Sequence, residues 1–171
     1  MTRSPNTLVL ARVVIRGLIV LNALYAFAIA ALLIATLVKP QFLFDALGAT
    51  YGHLHNALRA VVLLGILGAY LVHRVLRELL AIVDTVRDGD PFAAGNSRRL
   101  QAIAWWVLAG EGVRLLIATV VYAAAKSSPA LKMDIDVGFS FAPWLAVLLL
   151  FVLARVFEQG ARMRSDLDGT V

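Results

Sequence analysis

From Gly17 to Val38 the chain runs for 22 consecutive residues without a charge. An apolar helix of about 20 residues crosses the roughly 30 Å hydrocarbon core of a bilayer. In lipid, only helices and closed barrels satisfy their own backbone hydrogen bonds. This run therefore commits the chain to a membrane, and its length commits it to a helix. Val137 to Ala154 is a second charge-free run, of 18 residues. Composition agrees: 61% of the residues are hydrophobic and the mean hydropathy is +0.83, too apolar for a soluble domain of 171 residues.

Two further spans need argument. Ala60 to His73 contains only 14 uncharged residues, but Arg59 and Arg74 at its two ends can snorkel toward the headgroups and lengthen the usable helix. Leu100 to Ala125 is long enough at 26 residues and is interrupted only by Glu111 and Arg114. Spanning helices are expected at about 12–38, 57–82, 100–125 and 138–159. The expected fold is a single all-α domain, an integral membrane four-helix bundle with no linker and no internal repeat.

Four crossings place both termini on one side, and positive charge tells which side. Arg3, Arg12, Arg16, Arg74, Arg77, Arg87, Arg98, Arg99, Arg155, Arg162 and Arg164 make 11 at the termini and central loop, against four (Lys39, Arg59, Lys126, Lys132) at the other two loops. Both termini and the central loop are expected to be cytoplasmic.

The net charge of +5 raises nucleic-acid binding as a question, but the arginines gather at helix ends. Orientation and anionic headgroups account for them, so the lipid bilayer is the expected partner and direct nucleic-acid binding is not. With no cysteine, thiol catalysis, thiol-attached haem and disulfides are excluded. The first apolar run is longer than a signal-peptide core and lacks a small-residue cleavage pattern, so it is expected to be retained.

Local signals mark the ends of these elements. Leu76, Leu79, Leu80, Val83 and Val86 keep helical spacing beyond the second span while charges become frequent, so that helix should continue past the membrane. Asp88-Gly89-Asp90-Pro91 then stops it. Asn96 or Ser97 is expected to cap the third helix, and Ser140 to Pro143 to open the fourth. The piece QFLFDALG, between the first two spans, reads as lying on the membrane surface.

The stretch IVDTVRDGDPFAAGNSRRLQAIAWW and the tail VFEQGARMRSDLDGTV resemble a bacterial family of small four-helix integral membrane proteins of unknown function. The resemblance rests on Gly89, Pro91, Phe92, Asn96, Arg99 and Leu100. It also rests on Gly160, Ala161, Arg162, Met163, Arg164, Asp166, Gly169, Thr170 and Val171 in the tail. Members of that family are often encoded beside a very small helix-turn-helix regulator of the Cro/CI type. The resemblance thus implies a multi-pass protein of the cytoplasmic (inner) membrane with a regulatory role and a small helix-turn-helix protein as partner.

Candidate chemistry centres on Glu111 and Arg114. A lone charge at the middle of a membrane helix costs roughly 2.5–3.5 kcal/mol by insertion scales. Three residues apart, the two side chains can offset one another. Counted by depth, Asn22, Tyr25, Tyr70, His73 and Glu111 fall slightly to the cytoplasmic side of the midplane. Asn22, Tyr70, His73, Glu111 and Arg114 are therefore the candidate intramembrane polar cluster. One reading makes it a proton or small-ligand site, the other a set of interhelical bonds that hold the packing.

Other constellations favour plain structural roles. Asp84, Asp88 and Asp90 lack calcium-loop spacing and read as a solvated turn. His53 and His55, at i and i+2, diverge on a helix, so no metal or other cofactor is expected. Trp105, Trp106 and Trp144, near predicted helix ends, read as interfacial anchors. No phosphate loop, nucleophile elbow or HExxH motif occurs, so an enzyme is not expected. Arg162, Arg164, Asp166 and Asp168 form a two-sign tail, the expected place for a soluble partner to grip. Self-association into a homo-oligomer stays open.

Overall fold

The computed structural model describes residues 5–38, 55–127 and 140–168. Four α-helices occupy nearly all of them: α1, Pro5–Val38; α2, His55–Arg87; α3, Ala94–Ser127; and α4, Ala142–Asp168. All four are long and apolar enough to span a membrane, with windows of mean hydropathy 2.5, 1.6, 1.6 and 1.7 in chain order. The protein is a multi-pass membrane protein. The QFLFDALG segment and His53 lie outside the described residues.

Each helix extends beyond its expected span: α1 begins at Pro5, α2 continues to Arg87, α3 starts at Ala94 and α4 runs to Asp168. At 1.5 Å per residue, the 33 residues of α2 reach about 50 Å, so roughly 20 Å lies outside the hydrocarbon. Hydropathy registers the bilayer's thickness, whereas a helix ends only where the backbone is made to turn. No such signal precedes Arg87. The stop that follows is a left-handed glycine cap: Gly89 has φ +87°, Asp90 N–H donates to Thr85 C=O at 3.0 Å and Gly89 N–H to Val86 C=O at 3.3 Å. At the start of α4, Pro143 sits in the first turn, where its missing N–H costs nothing, and Leu145 N–H donates to Phe141 C=O at 3.0 Å.

The helices alternate in direction. Arg12 pairs with Asp84 at 3.0 Å near one end of α1 and α2, and Arg59 donates to Thr36 C=O at 3.2 Å near the other. Arg164 pairs with Asp90, bringing the last part of α4 to the α2–α3 turn. The start of α1, the α2–α3 turn and the end of α4 therefore share one end of the molecule.

Among the described residues, packing runs α1 on α2, α2 on α3 and α3 on α4, with no comparable contact between α1 and α4. The four helices form an open row. Small buried residues allow close approach inside it: Ala69 on α2, Ala104 on α3 and Ala154 on α4. Leu24, Phe27 and Leu37 on α1, and Leu148, Leu149 and Val152 on α4, stand exposed on the surface that lipid covers.

Asn96 does not cap α3. The helix begins two residues earlier, and the Asn96 side chain, fully buried, turns back to donate to Thr85 Oγ1 at 2.8 Å and Pro91 C=O at 3.0 Å. Its amide oxygen accepts from Arg99 at 2.9 Å. One side chain thus ties the last turn of α2, the connecting turn and the first turns of α3.

Candidate intramembrane site

Because α1 and α3 both lean on α2, a groove remains over α2 between them. It forms a cavity of about 530 Å³ lined by 16 residues. Gly65, Gly68, Ala69 and Val72 lie on the α2 floor, Asn22 and Tyr25 on the α1 wall, and Trp106, Val107, Gly110 and Arg114 on the α3 wall. The volume falls within the roughly 300–1,000 Å³ typical of small-molecule sites. Among the described residues, Arg114 is the only charged one in the lining.

Glu111 is 5% exposed, so the carboxylate lies inside the protein. Arg114 grips it in a bidentate arrangement, Nε to Oε2 at 2.9 Å and Nη2 to Oε1 at 2.7 Å. The planar guanidinium matches both carboxylate oxygens, and the spacing of three residues on one helix brings them into register. The Arg114 side chain, 40% exposed, forms part of the cavity wall while its partner does not line the cavity.

On α1, the Asn22 amide nitrogen donates to Ala69 C=O at 2.9 Å. A carbonyl can only accept, so the nitrogen must face α2 and the amide oxygen points elsewhere. This bond sets Asn22 level with Ala69, and the neighbouring Gly68 approaches Val113 on α3. Asn22, Ala69 and Arg114 therefore occupy one depth of the membrane.

The expected cluster is thus divided. Asn22 and Arg114 line the cavity, and Glu111 joins it through Arg114. Tyr70 and His73 do not line it. Tyr70 is 53% exposed and meets the edge of Trp106, with ring centroids 6.4 Å apart. His73 is half-buried and has no hydrogen-bond partner among the described residues.

Trp106, read from the sequence as an interfacial anchor, packs between α2 and α3. Tyr70 meets it edge-on and the Arg74 guanidinium lies 5.3 Å from its ring centroid. Arg74 is in turn 3.6 Å from Glu78. Trp105, one residue earlier, faces away: it is 61% exposed and meets Phe151 of α4 with centroids 5.6 Å apart. A step of about 100° per residue sends adjacent tryptophans to different neighbours, and that periodicity was the available signal.

The tail residues have partners within the chain. Arg162 pairs with Glu158 and Arg164 with Asp90. Asp166 is exposed on α4, and Asp168 is its last residue. Phe92, from the α2–α3 turn, packs on Phe157 with centroids 5.4 Å apart. The two-sign segment, which lies beyond the expected end of the fourth span at 159, is a helix docked on the central turn, because nothing between Ala142 and Asp168 breaks the helix and Phe92 gives its membrane-distal part a surface.

No curated protein and no solved structure matches the chain. Residues 14–171, which take in every element of the cavity and the docked end of α4, match the family described as protein of unknown function (DUF2975), and the chain belongs to that family.

Proposed function

We propose that this protein is a membrane-embedded sensor without catalytic activity, which binds a small molecule between α1, α2 and α3. The observation that supports this reading is the cavity of about 530 Å³, apolar apart from a few polar side chains, of which Asn22 and Arg114 share one depth. Arg114, held by Glu111, gives that depth a fixed polar feature. A ligand that wedges between α1 and α3 would change how both lean on α2, and α2 and α3 meet at the turn that touches α4.

The test is native mass spectrometry of the protein released from membranes of its own host. A reproducible small-molecule adduct, lost in Gly110→Leu, is expected. An adduct unchanged by Gly110→Leu would move the binding site elsewhere.

A second reading, a regulatory partner that binds or sequesters a small cytoplasmic DNA-binding protein, draws its support from the docked end of α4. The central turn and the helix through Arg155, Glu158, Arg162 and Arg164 form one ordered surface with both signs of charge. Each exposed pair contributes roughly 0.2–1 kcal/mol, so binding there should weaken with salt. Deleting Ser165 to Val171 together with Arg164→Ala should release a co-purifying regulator from the membrane fraction. Full retention of every co-purifying protein would leave this end without a partner role.

A further inference from the structure

We infer that the α1–α2–α3 cavity takes an uncharged single-chain amphiphile with a hydroxyl head, the chain lying over α2 and the head beside Asn22 and Tyr25. The inference rests on the sensor reading above and names its ligand class.

The space is kept open by sequence. Glycines on membrane helices usually allow a neighbour to come close, yet a Cβ built on Gly110 meets nothing within 4 Å. A helix-interior glycine is roughly 1 kcal/mol less favourable than alanine, so Gly110 is not explained by packing. Any larger side chain there would enter the cavity. On the floor, a Cβ at Gly68 would meet only Val113, at an ordinary 3.9 Å.

Charge decides the head. Arg114 is the one charged side chain in the lining among the described residues, and its charge is matched by the bidentate Glu111 on the same helix. An anion beside this pair would leave net negative charge in a low-dielectric site, and a cation net positive charge. A neutral molecule avoids both costs. Hydrogen bonding then selects among neutral molecules. Asn22 turns its nitrogen toward α2 by donating to Ala69 and keeps an amide oxygen, an acceptor. Tyr25 lies one helical turn along on the same wall and brings a hydroxyl. A ligand hydroxyl can donate to the first and accept from the second.

The experiment uses the full chain in nanodiscs, with Trp105→Phe and Trp144→Phe so that Trp106 is the sole tryptophan. The probes are a chain-brominated monoacylglycerol, the corresponding brominated fatty acid at a pH where it is ionised, and a chain-brominated phosphatidylcholine. The monoacylglycerol should quench Trp106 saturably, with half-saturation at least about tenfold lower than the fatty acid. Gly110→Leu should abolish the saturable component, and Asn22→Ala should remove most of the preference for the hydroxyl head. Equal or tighter binding of the fatty acid, still abolished by Gly110→Leu, would overturn the ligand class and leave the cavity as a site. Quenching equal to that of brominated phosphatidylcholine, and unaffected by Gly110→Leu, would mean that Trp106 merely faces lipid and would overturn both readings. Should Gly110→Leu fail to fold, Val107→Phe fills the same wall and carries the same two outcomes.

Discussion

Phe92 lies across Gly160 so closely that a Cβ added to the glycine would fall 2.6 Å from the ring's Cδ1 and 2.8 Å from Cε1. The missing side chain on α4 is thus the seat of an aromatic ring from the α2–α3 turn, 68 residues earlier in sequence (160 − 92). Here glycine serves close approach, and the contact with Phe157 completes the seat.

Gly160→Ala should therefore push Phe92 out of place and lower stability by about 1 kcal/mol, near the low end for overpacking because the ring is half-exposed and can move. Phe92→Ala removes the obstacle. Thermal unfolding in detergent should show the double variant losing clearly less than the sum of the two single losses. Simple additivity would mean that the two residues do not share this contact.

Asn96 offers a test of cap against cross-link. Asn96→Ala leaves Thr85 Oγ1 and Pro91 C=O without their buried donor and should cost roughly 1–3 kcal/mol. Serine is as good a helix cap as asparagine, but it cannot reach both partners at once. Asn96→Ser should consequently be about as harmful as Asn96→Ala in the same melting assay. Wild-type stability in Asn96→Ser would favour a cap.

Glu111→Ala leaves the Arg114 guanidinium without its bidentate carboxylate inside the membrane, and the melting temperature should fall by several degrees. Adding Arg114→Leu removes the charge that has lost its carboxylate, so the double variant should recover much of that loss. A double variant less stable than Glu111→Ala alone would contradict the pairing as the reason for the loss.

The 11 to 4 division of positive residues predicts that the end of the molecule holding Asp90 and Asp166 faces the cytoplasm. Reporter fusions at both positions should read as cytoplasmic. Both reading as external would invert the topology, and opposite readings would break the antiparallel arrangement carried by Arg164 and Asp90.

The number of helices and their approximate places were legible in sequence because the bilayer acts on each segment alone. Gly17 to Val38 must be helical in lipid whatever its neighbours do. The turn at Gly89 was equally local, since a left-handed backbone names its own residue. The Glu111–Arg114 pair was legible for the same reason: both partners are on one helix, three residues apart. The facing of the helices was not legible. In a soluble protein a polar side marks the outside, but a helix in lipid is apolar toward both its neighbours and the membrane, so α1 and α3 carry little record of which side packs. Only the tertiary structure separated Trp106 from Trp105, put Asn22 against Ala69, left Tyr70 and His73 outside the cavity, and showed that Gly110 holds space while Gly160 holds a ring. Those outcomes depend on distances between residues tens of positions apart, set by packing that hydropathy does not encode.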